Sequence, residues 1–193
     1  AMFCHGSGQF HKSNRPGFHP YPLQSLRMTQ AVVITVSDSF SRGERGDLSG
    51  PAAVKVLESH GFDVHARISV PDEIKAIEDA LRSAAAAARL VVTTGGTGIS
   101  PRDVTPEATR AACDRLLEGV AEVMRAEGRR ETPLAALGRG LCGTIGTSLV
   151  LNLPGSPRGA VTSLRAVLPL VGHALDLLAG KTEHDAQHLG DPS

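Results

Sequence analysis

The stretch TTGGTGISPRDVTPEA, residues 93–108, holds the residues best suited to chemistry. Gly95, Gly96 and Gly98 permit backbone angles and close approaches that side chains forbid. Successive amides in such a turn form an anion nest, and Thr94 and Thr97 add hydroxyl donors. The Lys-Ser/Thr pair of a P-loop is missing, so this cradle need not grip β- and γ-phosphates in the P-loop manner. Asp103 follows Gly98 by five residues. A carboxylate beside bound phosphate is repulsive unless a divalent cation lies between them, and Mg2+ commonly takes one or two carboxylates together with phosphate oxygens and water. The plainer role of Asp103 is a cap for the helix opening at VTPEA, which Thr105 could fill equally well. Arg102 is either a phosphate partner or a solvated charge.

Two further segments share this character. TVSDSFSRGERGDLSGP supplies Ser37, Asp38 and Asp47, with Asp47 just ahead of a helix beginning near Pro51. Asp47 is a second carboxylate for a cation with Asp103, or simply an acid at a helix start. Arg45-Gly46-Asp47 spells a cell-adhesion motif, a coincidence in a chain without a secretory signal. NLPGSP places Pro154, Gly155 and Ser156 before another helix N-terminus, a favourable place for anions. Together these loops point to Mg2+-assisted chemistry on a nucleotide or phosphorylated ligand.

The elements that must position them alternate strand and helix from Ala31 onward. AVVITV, FDVHARISV and LVVTT read as strands, the first and third as buried β-branched runs. PAAVKVLESHG reads as a helix closed by Gly61. Asp72 is expected to cap EIKAIEDALRSAAAAA, whose Ile74, Ile77 and Leu81 share a face. TPEATRAACDRLL opens a helix that continues through EGVAEVMRAEG. LCGTIGTSLVLNLP gives one or two strands broken at Gly146, and a long helix bent at Pro169 closes the domain. The result is an α/β fold, a three-layer αβα arrangement with a mostly parallel sheet. In such sheets ligands bind beyond the carboxyl ends of the strands, where all three loops emerge.

Composition bounds the rest. The chain has 193 residues, 41% hydrophobic and 21% charged, with a formal net charge of zero. No global field recruits nucleic acid or an anionic membrane, and no uninterrupted apolar run reaches the ~20 residues that span a bilayer. Three cysteines without CxxC spacing favour a reducing cytoplasm over a disulfide framework or structural zinc. Residues 1–30 have no acid and are rich in Gly, Pro, Ser and His, a composition of a disordered leader. Met28 is the expected natural start. Residues 31–180 form the domain, and 181–193 a polar tail whose His184 and His188 read as solvated.

TVSDSFSRGERGDLSGP, TTGGTGISPRDVTPEAT and NLPGSP, in that order, resemble the molybdopterin adenylyltransferases, the Mog and MoaB-like proteins and the G domains of gephyrin-type proteins. The resemblance covers roughly residues 31–180. It implies a homotrimer, with ATP and molybdopterin as substrates and Mg2+ as cofactor. Molybdopterin phosphate attacks the α-phosphate of ATP, releasing pyrophosphate, and the adenylylated product is handed to a molybdenum-insertion protein. It also implies that Asp47 and Asp103 are the functional carboxylates, with Ser37, Asp38 and Ser156 contacting pterin or phosphate. RDVTP is intact, whereas Gly138-Arg139 stands where many relatives carry Ser-Arg. A non-catalytic pterin-binding trimer and a nucleotide pyrophosphate hydrolase are the alternatives.

Overall fold

In the computed structural model, residues 28–38 and 46–181 are described; the expectations for the leader, for most of the tail and for much of the first loop fall outside the described residues. Among the described residues, five helices and six strands follow in the order β1 (Gln30–Val36), α1 (Ser49–Ser59), β2 (Asp63–Val70), α2 (Ile74–Ala87), β3 (Leu90–Thr94), α3 (Thr105–Ala112), β4 (Arg115–Leu116), α4 (Glu118–Glu131), β5 (Cys142–Ile145), β6 (Ser148–Leu153) and α5 (Pro157–Leu178), with a 3₁₀ turn at Pro133–Leu137. The sheet order is β2-β1-β3-β6-β5-β4. The first four strands in that order run parallel, and β5 and β4 are antiparallel additions at one edge.

Alternating side chains of β1 feed two separate cores. Ala31 and Val33 pack with α1, α4 and α5, while Val32 and Ile34 pack with α2 and α3. Both faces are therefore covered, which is why β1, β3 and β6 read as continuous apolar runs. α5 is long and apolar enough to cross a membrane by length and composition alone. Here it is the main core helix: Leu164, Val167, Leu168 and Val171 are at most 1% exposed. Burial of each such side chain contributes ~1.5–3 kcal/mol.

Two local expectations change, and the open choice at Gly146 resolves to two strands. The helix expected to continue from Thr105 is interrupted, because Asp114 N–H donates to Thr144 and Leu117 N–H to Cys142, drawing Arg115–Leu116 into the sheet. Gly146, at φ +55°, turns β5 back into β6, so this region is a hairpin of two strands. Asp72 does not cap α2: Glu73 occupies that position, and the Asp72 carboxylate turns instead to the loop after β1. Ile77 and Leu81 are buried as expected, whereas Ile74 at the helix start is 45% exposed.

The register sets the site. Thr35 pairs with Thr94, and Thr94 with Leu153, so β1, β3 and β6 end side by side.

Candidate functional site

The loop after β3 turns on Gly95 and Gly96, at φ +96° and +61°. A Cβ on Gly95 would lie 2.2 Å from the Val36 carbonyl oxygen, so the loop can press against β1 only without a side chain there. Gly155 backs it from the other side, with Gly95 Cα 3.3 Å from where its Cβ would be. The loop carbonyls are taken up one by one. Thr105 Oγ1 donates to Gly95 O at 3.0 Å, Thr105 N–H to Gly96 O at 3.1 Å and Arg139 N–H to Thr97 O at 2.9 Å. The amides face no such acceptors: among the described residues, those of Gly96, Thr97, Gly98 and Ile99 make no hydrogen bond. Thr97 is only 6% exposed. A buried donor such as the Thr97 amide is nearly always paired, whereas Ile99 is 68% exposed, and successive open amides can form an anion cradle.

Carboxylates gather beside this cradle. Asp103 Oδ2 accepts from Ser100 N–H at 2.8 Å, closing the PRD turn rather than capping α3. Asp38 and Asp72 clasp each other: Asp38 N–H donates to Asp72 Oδ2 at 2.8 Å, and Asp72 N–H to Asp38 Oδ1 at 3.0 Å. Arg102 Nε donates to Asp38 Oδ2 at 2.9 Å, so this arginine is not simply solvated. Asp72 lies beside Gly96, where a Cβ would come 3.0 Å from its Oδ1. Burial is the main cause holding Asp72 above its ordinary value of 3.8; the Asp38 amide opposes it, the Asp38 and Asp103 charges add to it, and Arg102 opposes it.

Asp47 belongs to a different knot. Thr35 Oγ1 donates to its Oδ2 at 2.6 Å and Gly50 N–H to its Oδ1 at 2.9 Å. Ser49 hydroxyl reaches Thr94 Oγ1 at 3.0 Å, tying that knot to the end of β3. No hydrogen bond joins Asp47 to Asp103 among the described residues.

A cavity of about 500 Å3 opens on the far side of the glycine loop. Thr97, Gly98, Pro154, Gly155 and Ser156 line it, together with Met124 of α4. Ser156 also caps α5, accepting from Gly159 N–H at 3.2 Å. Beneath lies Asn152, whose amide donates to Thr93 and Thr109 hydroxyls at 3.1 and 3.0 Å and accepts from Leu141 N–H at 3.2 Å. Glu131 at the rim bonds Arg158 and Thr162, both at 2.6 Å. The fold thus brings together most of the expected residues: the 94–98 loop, Asp103, Ser37, Asp38 and the 154–156 loop stand at one sheet edge, with Asp47 behind. Asp72, expected as a helix cap, and Arg139 join them as further residues of the site. Asp72 reaches the site because β2 ends at the same carboxyl edge and Pro71-Asp72 begins its loop.

Residues 32–173 match the family described as Probable molybdopterin binding domain. The chain belongs to the molybdopterin-binding domain family. Similar members include the molybdopterin adenylyltransferase of Helicobacter pylori strain J99, 40% identical over 77% of this chain and 86% of that protein. The Pyrococcus furiosus molybdopterin adenylyltransferase is 37% identical over 82% of this chain and 96% of its own length. Among solved structures, the molybdopterin biosynthesis enzyme MoaB of Thermus thermophilus superposes with a TM-score of 0.75 at 51% identity, covering 80% of this chain and 98% of that one. Within this molybdopterin-binding domain the open amides and the Asp38–Asp72–Asp103 group lie inside the matched span.

Proposed function

We propose that this protein is a molybdopterin adenylyltransferase of molybdenum cofactor biosynthesis, joining AMP from ATP to the phosphate of molybdopterin. The observation that carries this reading is the row of open amides at Gly96–Ile99 between the Asp72 and Asp103 carboxylates and the cavity. In the reaction an oxygen of the molybdopterin phosphate forms a bond to the α-phosphorus of ATP while the bond to the β-phosphate bridge breaks, and pyrophosphate leaves with its electron pair. A phosphate nucleophile is already ionised at neutral pH, so alignment and charge neutralisation are what the protein must supply. The amides of Gly96–Ile99 hold and orient phosphate oxygens. The cavity, with Pro154, Gly155 and Ser156 on one wall, receives the organic part of a substrate and excludes water.

Mg2+ fits the donor set. Among the described residues no three His, Cys, Asp or Glu side chains converge into a cage. Asp103 and Asp72 instead offer a small number of hard oxygen ligands, which suits a cation that keeps its water and shares phosphate oxygens. When bound, Mg2+ supplies charge neutralisation at the transferring phosphate. Asp103 is the principal ligand and Asp72 its neighbour. Asp47, engaged by Thr35, Ser49 and Gly50, enters as a further carboxylate bracing the loop from behind. A homotrimer in the cytoplasm, passing its product to a molybdenum-insertion protein, completes the proposal.

Incubation with ATP, Mg2+ and molybdopterin tests it. Pyrophosphate and adenylylated molybdopterin are expected in equal amounts. Binding of molybdopterin without turnover would replace this reading with a carrier, and pyrophosphate without the adenylylated pterin would replace it with a hydrolase. Sedimentation as a monomer would remove the trimer.

A further inference from the structure

Arg139 lies just before β5, far in sequence from the glycine loop, yet its side chain reaches that loop and the turn that follows it. Nε donates to Gly98 O at 2.6 Å, one terminal nitrogen donates to Asp103 O at 2.6 Å, and the other pairs with the Glu107 carboxylate. Its backbone N–H adds the bond to Thr97 O at 2.9 Å. One residue therefore fastens the glycine loop, the PRD turn and the first turn of α3. Each guanidinium nitrogen has a protein acceptor, so Arg139 is placed to act through the loop.

The geometry has a direct consequence for the amides. A trans peptide points the C=O of one residue opposite to the N–H of the next. Drawing the carbonyls of Thr97, Gly98 and Asp103 toward Arg139 turns the amides of Gly98, Ile99 and Val104 away from it. Two of these belong to the open row of the cradle. Charged donors make such bonds shorter and stronger than neutral ones, and the planar fork spans two carbonyls in fixed geometry as an ammonium does not.

We propose that Arg139 is the positioning residue of this site, its guanidinium fork setting the direction of the cradle amides and the backbone of Asp103. The kinetic half of this inference rests on the adenylyltransferase reading; the structural half does not. The test uses the full chain with Arg139→Ala, Arg139→Lys and Glu107→Gln, measuring kcat and KM for ATP with molybdopterin and Mg2+, and amide hydrogen exchange across residues 95–104.

Arg139→Ala is expected to lower kcat by ~10²-fold with KM for ATP within about threefold, the scale of a misplaced reacting group. Arg139→Lys should fall with it, because charge alone cannot span both carbonyls. Added guanidinium ion should recover part of the Arg139→Ala turnover. Glu107→Gln, which keeps both carbonyl bonds, should stay near wild type. Exchange at Ser100 and Asp103, whose amides are hydrogen-bonded within the turn that Arg139 anchors, should quicken in both arginine variants. Full turnover in Arg139→Lys, a loss confined to KM, or unchanged exchange would each overturn the proposal. If the wild-type protein makes no adenylylated molybdopterin, the functional reading falls, and the exchange measurement alone decides for or against Arg139.

Discussion

Alanine at Gly98 and at Gly95 meets two different obstacles within one loop, and the contrast separates folding from function. At Gly98 an added Cβ meets only the Asp103 carboxylate, 2.9 Å from Oδ2 and 3.7 Å from Cγ. Gly98 is not among the left-handed glycines, so its backbone accepts alanine. The contact is about 0.5 Å short of ordinary separation, and the far end of a side chain is free to yield. When Asp103 turns aside it weakens the 2.8 Å bond from Ser100 N–H, a loss of ~0.5–1.5 kcal/mol. At Gly95 the Cβ would lie 2.2 Å from the carbonyl oxygen of Val36 in a strand at the heart of the sheet, at φ +96°. Backbone strain of ~1–3 kcal/mol and a collision of ~1–3 kcal/mol then act together. Gly98→Ala should therefore melt within a few degrees of wild type while turnover falls ~10–100-fold, because on the proposed reading the displaced Asp103 carboxylate positions the reacting groups. Gly95→Ala should melt far lower. Thermal unfolding and pyrophosphate release check both. Wild-type turnover in Gly98→Ala would show that the Asp103 carboxylate is not where the chemistry depends on it; a melting point as low as that of Gly95→Ala would refute the steric reasoning.

Asp103→Asn should cut kcat by ~10²-fold, the scale of removing one key electrostatic group, with an unchanged circular dichroism spectrum. Asp72→Asn should also lose turnover yet melt at or above wild type at pH 7. Burial first, and then Asp38 and Asp103, hold the Asp72 carboxyl above 3.8, so its stabilising contribution is fully present below that pH and disappears as pH rises through the raised folded value; melting curves should show the advantage of Asn vanishing near pH 3. Asp47→Asn should do the reverse, losing ~1 kcal/mol of stability with its Thr35 bond and less turnover than either, as paired melting and kinetic measurements would reveal. Burial pushes the Cys113 thiol up to about 11, with help from Asp114, and that of Cys142 up to about 12. Both should resist iodoacetamide at pH 8 until the protein unfolds, which site-resolved mass spectrometry would follow.

The layered α/β fold was legible because its signals are local. Val32, Val33 and Ile34 are β-branched residues in a strand covered on both faces, and Gly61 and Gly146 mark turns with left-handed backbone. What was not legible depends on pairing between distant segments. Arg115 and Leu116 have no strong strand character, and only the carbonyls of Cys142 and Thr144 draw that segment into the sheet. Asp72, before a helix, has the local signature of a cap, and only the adjacency of β1 and β2 reveals the loop it clasps. Arg139 carries no sequence signal of its grip, since Gly98 and Asp103 offer it main-chain carbonyls and any residues there would have done so.

These two kinds of residue divide the work of the site. The glycines make the cradle possible by what they lack: a side chain at Gly95 or Gly96 would strike Val36 O or Thr105 Oγ1. That permissiveness also leaves the loop with many conformations, since glycine constrains its own backbone least. Something outside the loop must therefore select one. Arg139 and Thr105 do so by taking up the carbonyls of Gly95, Gly96, Thr97, Gly98 and Asp103. Acidic side chains close together raise the same need for outside control, because Asp38, Asp72 and Asp103 repel one another. The reciprocal Asp38–Asp72 bonds and the Arg102 contact hold that repulsion in place without neutralising it, and it adds to the burial that raises Asp72. A cation bound there would relieve it, so on the proposed reading Mg2+ and phosphate are expected to bind together more tightly than either alone.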